Sequence, residues 1–127
     1  MERKAKILLG DDEKYLHDLV AKALSADEFD ILHAYDGKET LRLAEEQLPD
    51  LIVLDVMMPS MDGRDICKKL KNNPETKGMK IIMLTAKDQQ HDRILGLQLG
   101  ADDYIPKPCS MNYLVRRIEM ACDRNGR

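Results

Sequence analysis

The sequence has few of the features that mark membrane, secreted or disulfide-rich proteins. Its 127 residues contain no apolar run long enough to span a bilayer, and the N-terminal segment MERKAK leads into only three apolar residues, too few for a signal peptide. The three cysteines, at positions 67, 109 and 122, are widely spaced, so reduced thiols are expected rather than a disulfide framework. These absences predict a cytoplasmic protein with no membrane partner.

An excess of positive charge is also absent. The chain carries 20 lysines and arginines against 23 aspartates and glutamates, which gives a net charge of −3. A broad nucleic-acid-binding surface normally requires a basic excess, so direct contact with nucleic acid is not predicted. The glycine-rich G-x-G-x-x-G fingerprint of dinucleotide-binding proteins is missing as well.

What the sequence does contain is an alternation of short apolar runs with helical periodicity. The five strand candidates are residues 6–9, 29–34, 51–54, 80–84 and 103–105. Residues 52–54 and 81–84 are apolar throughout, which is typical of strands covered on both faces. Amphipathic stripes between and after the strands predict five helices, the fourth around residues 88–99. The sequence therefore predicts an α/β fold with a doubly wound, five-stranded parallel sheet in one domain, residues 1–127.

Polar residues follow the predicted strands at their carboxyl ends. The first strand is followed by the segment GDDE at residues 10–13, the third by Asp55, the fourth by Thr85 and the fifth, after Pro106, by Lys107. Ligands of open α/β sheets bind beyond the carboxyl ends of the strands. If the first, third, fourth and fifth strands are neighbours, these groups converge at one rim of the sheet.

This set of groups is suited to phosphoryl transfer. Carboxylates packed as closely as Asp11, Asp12 and Asp55 repel one another, and some would bind protons unless positive charge is supplied. Mg²⁺, which prefers oxygen ligands, and Lys107 would supply that charge, while Thr85 offers a hydroxyl donor. Such groups can neutralise phosphoryl oxygens during transfer, with Asp55 as the nucleophile that forms an aspartyl phosphate.

Each of these residues has a simpler interpretation when it is taken alone. Asp11 or Asp12 could cap the first helix, Thr85 could cap the fourth, and Lys107 could be an exposed loop cation. Asp55 is harder to explain in this way, because a carboxylate directly after an apolar run is costly without partners. The occurrence of all these groups at the same end of successive strands favours the functional interpretation.

Four segments, LLGDDE, PDLIVLDVMMPSMDG, IIMLTA and LGADDYIPKP, resemble those of response-regulator receiver domains of two-component signalling, in the same order along essentially the whole chain. The resemblance implies a flavodoxin-like strand order of 2-1-3-4-5, a cis Lys107–Pro108 bond, Asp55 as phosphoacceptor, and Mg²⁺ or Mn²⁺ as cofactor. The implied metal ligands are Asp11, Asp12, Asp55 and the backbone carbonyl of Met57. The implied phosphoryl-binding groups are Thr85, Lys107 and the backbone of Ala86.

The same resemblance implies a switch and its partners. Thr85 would move toward the phosphoryl group and Tyr104 would rotate into the vacated space, changing the surface formed by the fourth helix, fifth strand and fifth helix. The expected partners are a sensor histidine kinase or histidine phosphotransfer protein upstream, an output domain or effector protein downstream, and a second copy through the switch surface. Tyr15 on the first helix is expected to flank the kinase docking site. Met57 and Lys87 are expected to set the phosphoaspartate lifetime by limiting the approach of water.

Two positions depart from common receiver sequences. Gly10 precedes the acidic pair where a branched apolar residue is usual, and Cys109 follows the Lys-Pro pair where an aromatic residue is frequent. The histidines are scattered and are interpreted as ordinary surface or boundary residues: His17, which belongs to the expected docking helix, His33 and His91.

Three other functions would require sequence features that differ from those of this chain. A Mg²⁺-dependent phosphohydrolase of the haloacid-dehalogenase type has a second acid two residues after its aspartyl nucleophile, where this chain has Met57. A flavodoxin-like cofactor-binding protein would need a hydroxyl- and glycine-rich loop in place of the acidic segment at residues 10–13. A degenerate receiver that serves only as a binding module would lack some of the chemical positions, all of which are filled. The expectation is therefore a regulatory phosphoacceptor rather than an enzyme.

Overall fold

A computed structural model describes residues 3–86 and 100–122. The strands are β1 (Ala5–Gly10), β2 (Phe29–Ala34), β3 (Leu51–Asp55), β4 (Lys80–Ala86) and β5 (Asp103–Lys107). The helices within these residues are α1 (Lys14–Ala23), α2 (Gly37–Gln47), α3 (Gly63–Lys71) and the C-terminal helix (Met111–Ala121). The predicted fourth helix, around residues 88–99, lies outside the described part of the chain.

The five strands form one parallel sheet in the order β2-β1-β3-β4-β5. This confirms the predicted fold class and strand order. Four strands are longer than predicted at their carboxyl ends: β1 includes Gly10, β3 includes Asp55, β4 continues to Ala86 and β5 continues to Lys107. Thr85 is therefore held within β4, opposite Pro106 of the edge strand β5, where a residue without an N–H is tolerated.

Successive residues of the central strands enter two separate cores. On one face of the sheet, Leu8, Ile52 and Leu54 pack with residues of α2 and α3. On the other face, Leu9 and Val53 pack with residues of α1 and the C-terminal helix. This arrangement explains why the runs in β3 and β4 are apolar throughout instead of alternating. No helix among residues 3–86 and 100–122 combines the length and apolar character needed to cross a membrane.

Gly10 and Thr40 fit together where α2 crosses the end of β1. A Cβ atom at position 10 would lie 2.6 Å from Oγ1 and 2.7 Å from Cγ2 of Thr40. Thr40 is fully buried, and its hydroxyl donates to the Asp36 carbonyl at 2.7 Å. The unusual glycine before the acidic pair is thus explained by the threonine, which fills the space that a larger side chain at position 10 would need.

Candidate functional site

The carboxylates of Asp11, Asp12 and Asp55 meet at the carboxyl ends of β1 and β3. One carboxylate oxygen from each residue lies within 4.8 Å of the other two. Asp11 is completely buried and Asp55 is 7% exposed, whereas Asp12 is open to solvent. The three residues therefore form a compact acidic cluster with one exposed side, an arrangement of oxygen ligands that a hard divalent cation can use.

Lys107 reaches this acidic cluster from the end of β5. Its ammonium group donates to Asp11 Oδ2 at 3.0 Å, to Glu13 Oε1 at 2.8 Å and to Asp55 Oδ2 at 3.3 Å. Glu13 was not assigned a role from the sequence, although its position beside the acidic pair was a signal that could have suggested one. The Lys107–Pro108 peptide bond is cis, as the receiver resemblance implied.

The acidic cluster carries more negative charge than Lys107 neutralises. Burial, followed by the charge of Asp11, raises the pKa of Asp55 from 3.8 to about 6, although Lys107 and the Met57 amide oppose the change. Burial alone would lower the pKa of Lys107, but its hydrogen bonds to Glu13 and Asp11 and the charges of Asp11 and Asp55 raise it overall. Lys107 is thus held as a cation, and further positive charge at the cluster would favour ionised Asp55.

Neither Asp11 nor Asp12 provides the N-cap of α1. The N-cap residue is Glu13, and its side chain makes no capping hydrogen bond. Instead, Asp11 Oδ1 accepts from the Glu13 amide at 2.9 Å, which turns the other carboxylate oxygen toward Lys107. The simpler interpretation of the acidic pair as a helix cap is therefore wrong, which leaves both carboxylates at the rim.

Thr85 presents a hydroxyl group at the same rim. The residue is 3% exposed, and among the described residues its Oγ1 atom has no hydrogen-bond partner. Buried hydroxyl groups are normally paired, so an oxygen left in this way near the carboxyl end of β4 can donate to a bound ligand. Ala86, whose backbone was expected to bind the phosphoryl group, is the last residue of β4.

The loop after β3 keeps the backbone of Asp55 in place. The Val56 amide donates to the Leu84 carbonyl at 2.9 Å, and the Gly63 amide donates to the Val56 carbonyl at 2.8 Å. A Cβ atom at position 63 would lie 2.4 Å from the Asp55 carbonyl oxygen, so only glycine fits this approach. The Met57 amide donates to Asp55 Oδ1 at 3.2 Å, while its side chain is 60% exposed.

Several predicted roles are not decided by these contacts. The Met57 carbonyl as a metal ligand, and its side chain as a shield for the phosphoryl group, stay predictions. Lys87 and His91 lie outside the described residues. Tyr104 is 7% exposed, and its hydroxyl oxygen is closed to solvent, so the residue is a core side chain.

An apolar pocket of about 520 Å³ opens beside Asp55 and Lys107. It lies between α1 and the start of the C-terminal helix, and its apolar lining includes Tyr15, Leu16, Cys109, Met111 and Leu114. Tyr15 is 72% exposed at this pocket, which agrees with its predicted surface position on α1.

His17 does not lie on the surface with Tyr15. It is 2% exposed, and it contacts His33 and the backbone of Asp11. The interpretation of His17 as an ordinary surface or boundary residue is therefore wrong. Its contacts could not be read from spacing, because α1 and β2 bring the two histidines together from positions 16 residues apart.

The family model described as "Response regulator receiver domain" matches residues 7–119. A solved structure described as a response regulator from Chloroflexus aurantiacus J-10-fl is 31% identical, with a TM-score of 0.86, covering 96% of this chain and 100% of that chain. The receiver domain of the Francisella response regulator 1452 is 34% identical, with a TM-score of 0.83 and coverage of 95% and 98%. The Mn²⁺-bound form of response regulator Rcp1 is 25% identical, with a TM-score of 0.77 and coverage of 91% and 90%.

The sheet order, the acidic cluster and these similarities define the class of the protein. It is a regulatory module of two-component signalling with a CheY-like α/β fold. The chain belongs to the response regulator receiver domain family. Members of this family are phosphoacceptor modules that bind a divalent metal and work with histidine kinases and output domains.

Proposed function

We propose that Asp55 accepts a phosphoryl group from a phosphohistidine of a sensor kinase or histidine phosphotransfer protein. A carboxylate oxygen of Asp55 would attack phosphorus, an acyl phosphate would form, and the phosphorus–nitrogen bond of the donor would break with release of its imidazole. The main support for this proposal is the position of Asp55 beside Asp11 and Lys107. Asp55 is largely buried there, with 7% of its surface exposed. The carboxylate accepts from the Lys107 ammonium group and the Met57 amide, and it lines the pocket that opens to solvent.

The acidic cluster fits a divalent cation such as Mg²⁺, with Mn²⁺ as a second candidate. Asp11, Asp12 and Asp55 would hold the metal with their carboxylates, and the Met57 backbone carbonyl would complete the set of protein ligands. Support comes from the close approach of the three carboxylates and from the raised pKa of Asp55, which results first from burial and then from the charge of Asp11. A bound cation would supply positive charge to the oxygens of the transferring phosphoryl group.

The chain's own residues would hold the phosphoryl group after transfer. Lys107, already hydrogen-bonded to Asp55, would pair with one phosphoryl oxygen, and the hydroxyl of Thr85 would donate to another. The backbone of Ala86 would supply a further donor from the end of β4. Such fixed donors stabilise developing charge without reorganisation during the reaction.

Phosphorylation would be read out through Thr85 and Tyr104. Thr85 lies at the rim and Tyr104 is buried on the neighbouring strand β5, so a shift of Thr85 toward the phosphoryl group would alter the packing next to the tyrosine. The surface of the fourth predicted helix, β5 and the C-terminal helix would then change its affinity for an output domain, an effector protein or a second copy of the chain.

The switch is tested with Tyr104→Ala. The variant is expected to accept the phosphoryl group at nearly the normal rate but to lose most of the phosphorylation-dependent change in partner affinity or self-association. Size-exclusion chromatography with light scattering, with and without the phosphoryl analogue beryllofluoride, measures the self-association. A Tyr104→Phe variant keeps the ring and controls for loss of packing. A normal response in Tyr104→Ala would exclude the tyrosine from the switch.

Docking of the phosphohistidine donor would use the side of the site where Asp55 opens to solvent. Tyr15 and the apolar pocket beside it form this side, so an apolar side chain of the donor protein can enter as its phosphohistidine approaches Asp55. We place the module in the cytoplasm, as a single domain over residues 1–127, with neither nucleic acid nor membrane as a direct partner.

The phosphoacceptor function is tested by incubating the protein with acetyl phosphate and Mg²⁺ and measuring its intact mass. The expected result is the addition of one phosphoryl group that is absent in Asp55→Asn and absent when the metal is chelated. Rapid release of inorganic phosphate over many turnovers, without accumulation of the modified protein, would instead identify a phosphohydrolase, and a protein that is never modified would be a binding module. The lack of an acid at position 57 favours the first outcome.

A further inference from the structure

The backbone of Asp11 is held by hydrogen bonds from both sides. Its amide donates to the Ala34 carbonyl at 3.1 Å, at the end of β2. Its carbonyl lies 2.8 Å from Nε2 of His17, in a contact closed to solvent. Because Asp11 itself is completely buried, the position of its carboxylate depends on where these two contacts hold its main chain.

The hydrogen-bond pattern assigns a proton to Nε2 of His17 and, for a pair of neutral rings, a proton to Nδ1 of His33. A carbonyl oxygen can only accept, so Nε2 of His17 must carry the proton that is donated to Asp11. In the neutral ring, Nδ1 of His17 is then an acceptor, and it lies 2.7 Å from Nδ1 of His33. His33 must therefore donate from its Nδ1 atom. Burial, followed by the nearby His17, lowers the pKa of His33 against the opposing charge of Asp18, which favours the neutral form of its ring.

Aromatic packing fixes the orientation of the two imidazole rings. The Tyr35 ring lies 4.3 Å from that of His17 and is nearly parallel to that of His33, at 12° and 6.5 Å. Rotation of His17 away from Asp11 would break the contact with Tyr35 as well as both hydrogen bonds. The chain from His33 through His17 to the Asp11 carbonyl is thus a fixed arrangement of side chains behind the acidic cluster.

We propose that His17 and His33 are positioning residues for Asp11, one of the proposed metal ligands. His33 sets the tautomer of His17, and His17 holds the Asp11 main chain so that the Asp11 carboxylate points into the acidic cluster. This inference rests on the proposed metal-dependent phosphoacceptor function. Groups that orient metal ligands in this way affect metal affinity although they never touch the metal.

Substitutions of similar size distinguish the positioning role of His17 from a role in core packing alone. His17→Leu keeps apolar volume but removes the donor, whereas in His17→Gln the side-chain amide nitrogen is the same number of bonds from Cβ as Nε2 of histidine. Calorimetric titration with Mg²⁺ should show about 10-fold weaker binding for His17→Leu and recovery of most of that loss in His17→Gln. His33→Leu should cause a smaller loss, because Nε2 of His17 can still donate but its tautomer is no longer enforced.

A spectroscopic measurement tests the proton positions without metal or phosphorylation. Nitrogen-15 chemical shifts of the histidine rings at neutral pH should show His17 protonated at Nε2 and His33 protonated at Nδ1. In His33→Leu, the signal of His17 should shift toward a mixture of tautomers. Observation of His17 protonated at Nδ1 in the unmodified protein would overturn the inference.

The outcomes distinguish this inference from the proposed function. Normal Mg²⁺ binding by the unmodified protein together with equal binding by a folded His17→Leu variant would overturn the positioning role and leave the phosphoacceptor function standing. Equal losses in the leucine and glutamine variants would also overturn it, since packing alone would then explain the effect. An unmodified protein that does not bind Mg²⁺ would overturn both.

Discussion

Replacement of Lys107 by methionine is expected to lower the free energy of unfolding by about 2–4 kcal/mol at neutral pH without added metal. Methionine keeps much of the apolar stem but removes the charge that contacts Asp11, Glu13 and Asp55. Asp11 and Asp55 are buried, so removal of this cation leaves two carboxylates close together in a region of restricted solvation. Urea unfolding followed by circular dichroism measures the loss.

The loss should depend on pH in a defined direction. The folded-state pKa of Asp55 is raised from 3.8 to about 6, so the folded protein binds this proton more tightly than the unfolded chain. Binding of that proton stabilises the folded protein fully when the pH is below the pKa of Asp55 in the unfolded chain. The stabilisation is lost as the pH rises through the pKa of Asp55 in the folded protein. The charge of Lys107 lowers the pKa of Asp55, so removal of this charge should raise the pKa of Asp55 further. The deficit of Lys107→Met should therefore be largest at neutral pH and much smaller at about pH 4.5.

Lys69→Met provides a matched control. Lys69 is an exposed residue of α3, and its replacement should change stability by no more than about 0.5 kcal/mol. Addition of Mg²⁺ should restore part of the stability of Lys107→Met, because a cation at the cluster offsets the same carboxylates. A variant as stable as the unmodified protein at neutral pH, or one with the same deficit at both pH values, would contradict this account of the electrostatics.

Gly10→Val is expected to destabilise the protein by about 3 kcal/mol, the upper range for an overpacked core. A side chain at position 10 would come within 2.6 Å of Thr40, which is fully buried and hydrogen-bonded to Asp36. A valine at position 10 and the Thr40 side chain cannot both fit unless α2 shifts relative to β1. The same urea titration measures this effect.

The pairing of Gly10 with Thr40 predicts a strong coupling in a double-mutant cycle. Thr40→Ala removes both atoms that would clash, so Gly10→Val with Thr40→Ala should be more stable than Gly10→Val alone, with a coupling energy of about 1.5 kcal/mol or more. Gly78→Val is the control, because no atom lies within 4 Å of a Cβ at that position. Additive effects at positions 10 and 40 would show that the glycine is required for another reason.

The fold was predictable from the sequence because its main signal is local. In β3 and β4, every residue of a short run is apolar, and this pattern follows directly from burial on both faces. Strand ends were less well predicted: β4 continues through Thr85, because pairing with β5 extends the strand beyond its apolar run. The position of Asp55 at the end of β3 agrees with the sequence prediction.

The contacts that surround the acidic cluster were only partly predictable. The acidic residues and Lys107 could be identified as a group because parallel strands bring their carboxyl ends together. The burial of His17 could not, since it depends on how the side chains of α1 and β2 face each other. The contact between Glu13 and Lys107 was indicated only by the position of Glu13 beside the acidic pair. The reason for Gly10 likewise required the position of Thr40, which follows from how α2 packs on the sheet.

The central claim is that Asp55 carries the phosphoryl group, and the most direct measurement is the chemical identification of the modified residue. Borohydride reduces an aspartyl phosphate to homoserine, so the protein should be phosphorylated with acetyl phosphate and Mg²⁺, reduced, digested and sequenced by tandem mass spectrometry. The account predicts homoserine at position 55 and aspartate at positions 11 and 12. Homoserine at position 11 or 12, or a phosphorylated protein that retains aspartate at position 55, would contradict it.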